Sequence, residues 1–495
     1  MAIKRYYATK DNTITNAFKS NLQTRGVSGN MGQSDILEVF SIYAQVSSSA
    51  TGLSSELART LIQFDTDSIN TDRTAGTIPA SGSVNFFLTM YDAEHSQTTP
   101  KNYTLVVSAI SQSWDEGLGL DMENYTDEDA SNWLSASDGT EWVDMSDTAQ
   151  PGGSYITGTV AALTEYLFTQ SFDTGFENLE IDVSHLVEDW IKGDLTNYGF
   201  GVQLTSSDET ATDSFYTKMF FARGSQFFHK RPVVEARWDD SKKDNRGDFF
   251  LSSSLVPASN NLMNLYLYNV VRGQLADIPA VGTSDMQVNI YSGTTEPTGD
   301  ELFFPVGGGV KATGDINITA SHVETGIYSC SFAYVSSSIT TIFDVWSSAS
   351  VQYHTGSGVT VQTFDSQDYN FDQRYVSKVT NLRAVYGQGE KVRFRLYTRQ
   401  KDWSPTIYTV ASSDIETSII DNAYYRFTRV SDDLDVIPFG TGSLNHTRLS
   451  YDTSGSYFDL EMNLFDTDTV YELSFAYLIN GSYVEQPERF RFRVE

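Results

Sequence analysis

The chain has 495 residues, with 64 Asp and Glu against 33 Lys and Arg, a net charge of −31 and a pI near 4.4. An acidic surface of this size disfavours nucleic acid and anionic membranes as partners, and no run of about 18 apolar residues is present to span a bilayer. One cysteine, Cys330, excludes a disulfide within the chain.

The length suits about three domains. A hydrophobic share of 40%, aromatics at 13%, 35 Gly and few helical periodicities predict mostly β structure with sizeable cores. The opening MAIKRYYATKDNT lacks the apolar stretch of a signal peptide, so the expected site of synthesis is a cytoplasm with no secretion step.

In chain order, Lys4, Arg5 and Lys10 form a basic patch in an otherwise acidic protein. It is either an exposed terminus or a docking end for an acidic neighbour. A Gly-rich stretch, 25–34, precedes an apolar strand over 36–43, and further strands are expected over 57–65 and 83–91. In VNFFLTMY, Val84, Phe86, Leu88 and Met90 share one face and Asn85, Phe87, Thr89 and Tyr91 the other, which suits a central sandwich strand. The run 101–112 alternates Tyr103, Leu105 and Val107 with shorter or polar residues, and Trp114 closes it before the turn WDEGLG.

The acidic segment 115–153 follows, with Trp114, Trp133 and Trp142 at its edge or within it. Loops of this length are usually functional or disordered. Three readings stay open. The tryptophans can anchor the loop to the sandwich. Trp133, Trp142 and Tyr125 can instead offer rings to a sugar or a partner. The carboxylates of Asp121, Glu123, Asp127, Glu128 and Asp129 can collect Ca²⁺, which takes about six to eight oxygens, although their spacing matches no EF-hand. Beyond the loop, Leu186, Val187, Trp190 and Ile191 fall on one helical face, with Asp182 or Ser184 as cap and Gly193 as stop. Strands over 200–204 and 233–238 close this module, and 239–248 reads as a charged linker.

A second module, 250–365, has expected strands opening near Leu262 and over 286–291, 315–319, 327–334 and 340–346. Glu324-Thr-Gly-Ile-Tyr-Ser-Cys330 resembles the D-x-G-x-Y-x-C entry to an immunoglobulin F strand, with Tyr328 at the tyrosine-corner position. Glu324 replaces the usual Asp, and no partner cysteine exists. In a third module, 366–495, strands are expected over 391–397, 423–430, 457–460, 470–478 and 490–494. Arg and apolar residues alternate in VRFRLY and RFRFRV, so Arg393, Arg395, Arg489, Arg491 and Arg493 share cationic faces. These arginines either pair with the module's own acids or form a protein interface for an acidic subunit.

Catalysis finds no local motif. The six histidines show no H-x-x-x-H or H-x-H spacing, and there is no G-x-S-x-G elbow. Paired carboxylates for glycoside hydrolysis are a three-dimensional property that sequence does not display. The expectation is a protein that is not an enzyme and holds no cofactor or metal, Ca²⁺ in the acidic loop being the one open case.

Several segments share an order with one known family. Asp11-Asn12-Thr13-Ile14, Arg59-Thr60-Leu61-Ile62-Gln63-Phe64-Asp65, WDEGLG, the helix-strand pair of 182–204, and Phe220-Phe221-Ala222-Arg223 with Arg231-Pro232-Val233-Val234-Glu235 together resemble the DNRLRE-type β-sandwich. That is a jelly-roll module similar to some carbohydrate-binding modules. The resemblance covers roughly residues 8–238. The opening MAIKRYYATKDNTITNAF and the string FFHKRPVVEARWDDSKKDNRGDFF resemble virion structural proteins of marine T4-like tailed phages. The expected architecture is therefore all-β: a jelly-roll sandwich over 1–240 followed by two immunoglobulin-like sandwiches. The resemblance implies a structural component of a tail, neck or baseplate, located in the virion, contacting other virion subunits and present as a homo-oligomer. The alternative is an adhesion protein whose first module binds a host glycan.

Overall fold

The computed structural model describes residues 2–48, 52–95, 101–144, 146–156, 166–212, 215–302, 317–334, 338–363, 373–401 and 417–495. The expected boundary at 365/366 lies outside these residues. The architecture is all-β, built of sandwich modules around three large apolar cores. No described helix is long and apolar enough to cross a membrane.

The first sandwich is organised by its opening strand, Ile3–Thr15, which serves both sheets. Residues 3–7 pair antiparallel with Val233–Arg237, and the register shift between Ala8 and Lys10 passes the strand to Gly52–Phe64. One sheet continues from Val233–Arg237 through Asn85–Met90 to Leu179–Asp182. The other runs from Gly52–Phe64 through Phe200–Leu204 and Tyr103–Ala109 to Leu167–Phe172, with Ile36–Ser48 and Phe215–Phe221 added to its side. The apolar face of VNFFLTMY is buried at all four positions, as its alternation predicts for a central strand.

Helix Ser184–Lys192 lays Leu186, Val187 and Trp190 on this core and ends at Gly193 in the left-handed conformation. Its N-cap position is Val183, which has no capping side chain. The expected caps act one step away. Asp182 accepts from the Ser184 N–H at 2.9 Å, and Ser184 Oγ accepts from the Phe86 N–H at 2.8 Å, tying the helix start to the sheet.

In the second sandwich, Asn317–Glu324 bridges the two sheets, pairing with Met286–Ser292 at one end and with Ile327–Phe332 at the other. Met263–Tyr268 flanks the latter, and Thr341–Ser348 flanks the former. Tyr328 is buried at the expected position, but its hydroxyl bonds to a distant segment and not to the backbone just upstream. Its hydroxyl donates to the Gly282 carbonyl at 2.7 Å and accepts from the Ile278 N–H at 3.2 Å, inside the core.

The third sandwich stacks a sheet holding Lys391–Gln400 and Gly455–Glu461 on one holding Ala423–Arg429, Thr469–Ile479 and Phe490–Val494. Phe394, Phe427, Phe458 and Phe492 meet between them, with ring centroids 5.1 to 6.1 Å apart. Such pairs add about 0.5–1.5 kcal/mol each beyond area burial.

Candidate functional site

The acidic loop is latched onto the first sandwich by polar residues of the motifs that flank it. Trp114 is buried and donates from Nε1 to the Tyr198 carbonyl at 2.8 Å. Glu116 takes both the Arg223 guanidinium, at 2.6 Å, and the Asp11 N–H, at 2.8 Å. Asp11 itself accepts from the Arg223 N–H at 2.6 Å. Burial pushes its carboxyl up, and Glu116 adds to this against the opposing Arg223, leaving it at about 7. Asn12 Nδ2 donates to the Ser131 carbonyl at 2.9 Å. Arg59 makes a two-point pair with Glu209 and donates to the Gly152 carbonyl at 2.8 Å.

The glycines of WDEGLG are explained by close approach. A Cβ on Gly119 would lie 2.0 Å from the Asn30 carbonyl oxygen, and one on Gly117, at φ +81°, would lie 2.5 Å from Asn30 Oδ1. Trp133 and Trp142 form a small core with Trp114, Ile14, Leu61, Ile110 and Tyr155. Trp133 is 7% exposed and lies beneath the Arg59 guanidinium, and Trp142 is fully buried. Neither presents the ring face that stacking on a sugar requires. Both are anchors, because the loop's own turns fold over them and Asn132 accepts the Trp142 Nε1–H at 2.8 Å. Tyr125, at 67% exposure, does stand outward, together with Leu118 and Leu120.

Three of the loop's acids, Asp121, Glu123 and Asp127, are spent on the backbone. Asp121 Oδ1 accepts the N–H groups of Glu123, Asn124 and Tyr125, Glu123 accepts the Ser20 N–H, and Asp127 accepts the Leu118 N–H. These hydrogen bonds, with the one to Tyr125 leading, hold the Asp121 carboxyl below its usual range. Among the described residues no three His, Cys, Asp or Glu side chains converge on a metal position. The Ca²⁺ reading of this loop has no converging ligand set among them.

The basic opening is engaged within its own chain. Lys4 pairs with Asp72 at 2.8 Å, and Ile3 enters the core of the third sandwich. Arg5 Nε donates to Glu235 Oε1 at 2.7 Å, while its terminal nitrogens donate to the Val436 and Leu464 carbonyls of the third sandwich. Arg237 bridges Glu235 and Glu180. Burial pushes the Glu235 carboxyl up, but Arg237 and Arg5 outweigh it and hold the group down at about 2. The acidic neighbourhood that this terminus finds belongs to its own chain.

The linker is equally committed. Lys242 pairs with Glu324 and Lys243 with Asp421, while Arg246 makes a two-point pair with the buried Asp344 at 2.7 Å. Arg448 reaches back to Asp239 and Ser241. A cleft of about 340 Å³ lies where all three modules meet, lined by Trp238, Tyr266 and Tyr425 among others. A neighbouring one of about 500 Å³ lies between the second and third modules, with Tyr268, Val270 and Tyr457 in its walls. Sequence periodicity missed this junction. Its one signal was the density of alternating charges over 239–248.

The arginine faces are satisfied locally. Arg393 pairs with Asp459 at 2.7 Å, Arg395 with Asp452 at 3.0 Å, Arg489 with Glu485 at 2.8 Å, Arg491 with Glu472 at 2.8 Å and Arg493 with Asp468 at 2.7 Å. Of the two readings of these faces, pairing with the module's own acids describes every one of the five. Arg393 and Asp459 also line the cleft that faces the second module.

No family model matches the chain, and no curated protein matches it. Among solved structures, a marsupial T cell receptor aligns at 10% identity over 50% of this chain and 71% of that one, with a TM-score of 0.16. The N-terminal Ig1-2 module of the Drosophila receptor protein tyrosine phosphatase DLAR aligns at 8% identity over 47% and 90%, with a TM-score of 0.15. The titin domains z1z2 in complex with telethonin align at 11% identity over 50% and 88%, with a TM-score of 0.13. Scores of this size carry no argument, and the fold described above rests on the sheets themselves.

Proposed function

We propose that this chain is a non-enzymatic structural component of a tailed-phage virion, an appendage or adaptor of the tail, neck or baseplate that acts through protein–protein interfaces. The observation that carries the reading is the junction. The first strand and the linker join three sandwiches through buried, charge-assisted hydrogen bonds, which suits a part that must hold geometry between neighbours. The resemblance of its opening and linker segments to virion structural proteins supplies the setting. Copies would repeat about a symmetry axis and contact other virion subunits. No cofactor is needed for this role.

The adhesion alternative loses its main platform, because Trp133 and Trp142 are enclosed. Its remaining aromatic is Tyr125. Cryo-electron microscopy of particles carrying the chain tests the proposal. Ordered copies at a fixed, symmetric position are expected. Absence of ordered copies, together with retention of the purified full chain on a glycan array that Tyr125→Ala abolishes, would replace it with the adhesion role.

A further inference from the structure

We propose that Lys218 and Asp92 of the first sandwich condense into an intramolecular amide, an isopeptide brace between strand Phe215–Phe221 and the segment that follows strand Asn85–Met90. The two segments lie side by side. Asp92 forms a bridge with Phe220, the Ala93 N–H donates to the Met219 carbonyl at 3.0 Å, and the Phe221 N–H donates to the Tyr91 carbonyl at 3.1 Å. Lys218 and Asp92 are 126 positions apart in sequence, yet Lys218 Nζ is in direct contact with Asp92 Oδ1.

The surroundings suit amide formation. The Lys218 side chain is 1% exposed, and the rings of Phe172 and Phe220 lie 5.3 and 5.1 Å from its nitrogen. Nζ also donates to the Gly175 and Glu177 carbonyls, each at 2.9 Å. The turn carrying those carbonyls is held by the Glu177 carboxylate, which accepts the N–H groups of Asp173, Thr174 and Gly175.

A neutral amine has two N–H groups and one lone pair. With both N–H groups given to the two carbonyls, the lone pair is left for the Asp92 carboxyl. Burial disfavours charge on both partners, holding the lysine down and the aspartate up against their mutual attraction. The pair is thereby moved toward amine and acid, the forms that condense. Tyr103 is buried on the same side, stacked on Phe172 at 5.1 Å. Its hydroxyl has no hydrogen-bond partner among the described residues, and burial, then Glu177 and Asp92, keeps it protonated. It is the group available to donate to the carboxyl oxygen as charge develops there.

The reaction balances without a co-reactant. The Lys218 nitrogen attacks the Asp92 carboxyl carbon, a C–N bond forms, and the C–OH bond breaks. The hydroxyl leaves with an amine proton as water. The brace would fasten Phe215–Phe221, which among the described strands pairs only with Ile36–Ser48, to the opposite sheet's central strand.

Intact-mass spectrometry of the purified full chain tests this, followed by proteolytic mapping. The expected result is a mass one water below the sequence sum and a branched peptide joining Asp92 to Lys218. Asp92→Asn should still close, releasing ammonia in place of water, and Lys218→Arg should carry the full mass and melt earlier. A full-mass, folded wild-type protein overturns the proposal and leaves Lys218 as an ammonium with three acceptors. A water loss that maps elsewhere, such as to Asp138-Gly139, overturns it equally.

Discussion

Arg5 and Glu235 are direct cross-strand partners, 2.7 Å apart, and both side chains are about 5% exposed or less. Each also has a second commitment. Arg5 donates to carbonyls of the third sandwich, and Glu235 holds Arg237. The pair therefore fastens the opening strand to its own sheet and two modules to each other.

Removing one partner of a buried pair is costly, because the other is left desolvated and unpaired. Arg5→Met should destabilise the chain by about 3 kcal/mol, the low end of the usual range because Arg237 still serves Glu235. Urea denaturation reads the loss, and limited proteolysis should show earlier cutting between the first and third modules. An unchanged midpoint and cleavage pattern would sink the role given to this residue.

Acid should loosen the same junction through His446, which is 1% exposed and packs against Gly440. Burial and Arg237, opposed by Glu235, bring its imidazole down from 6.5 to about 4. Below pH 6.5 the unfolded chain takes up a proton that the folded chain refuses, so stability falls as pH drops toward 4, by at most about 1.4 kcal/mol per pH unit. Asp11 works in the other direction, since its raised folded value favours the folded state as pH falls. The readout is therefore the difference between wild type and His446→Gln. The wild type should lose ground between pH 6.5 and 4, and parallel pH profiles would refute this.

The acidic loop separates anchor from contact. Trp142→Ala should cost about 3–5 kcal/mol through the cavity it leaves. Tyr125→Ala should change stability by no more than about 0.5 kcal/mol, as for an ordinary exposed position. Thermal unfolding of the two variants checks both values, and similar effects would show that the loop does not fold over its tryptophans as described.

Tyr328→Phe removes a hydroxyl that both donates to Gly282 and accepts from Ile278 within the core of the second sandwich. The loss leaves the buried Ile278 N–H unmet and takes one partner from the half-buried Gly282 carbonyl, and should cost about 1–3 kcal/mol. Hydrogen exchange at Ile278 should quicken, and unchanged protection there would show that another group satisfies it.

Alternation of apolar residues placed several of the long strands from sequence alone, because burying one face imposes a period of two wherever a sheet covers a core. VNFFLTMY, KVRFRLY and RFRFRV lie in strands where their patterns put them, the second continuing to Gln400. Local chemistry likewise determined the left-handed stop at Gly193, where a few adjacent residues suffice, whereas the Tyr328 hydroxyl finds its partners 46 and 50 positions away. Whether Trp133 and Trp142 face water or core was decided by the tertiary structure, because the covering turns are pinned by Glu116 to Arg223, 107 positions away. The fate of Arg5 was decided in the same way, by Glu235 at a separation of 230 and Val436 at 431. Periodicity reports which residues must be buried. Partners for charges are chosen by contacts between distant segments, and those exist only once the modules have folded against one another.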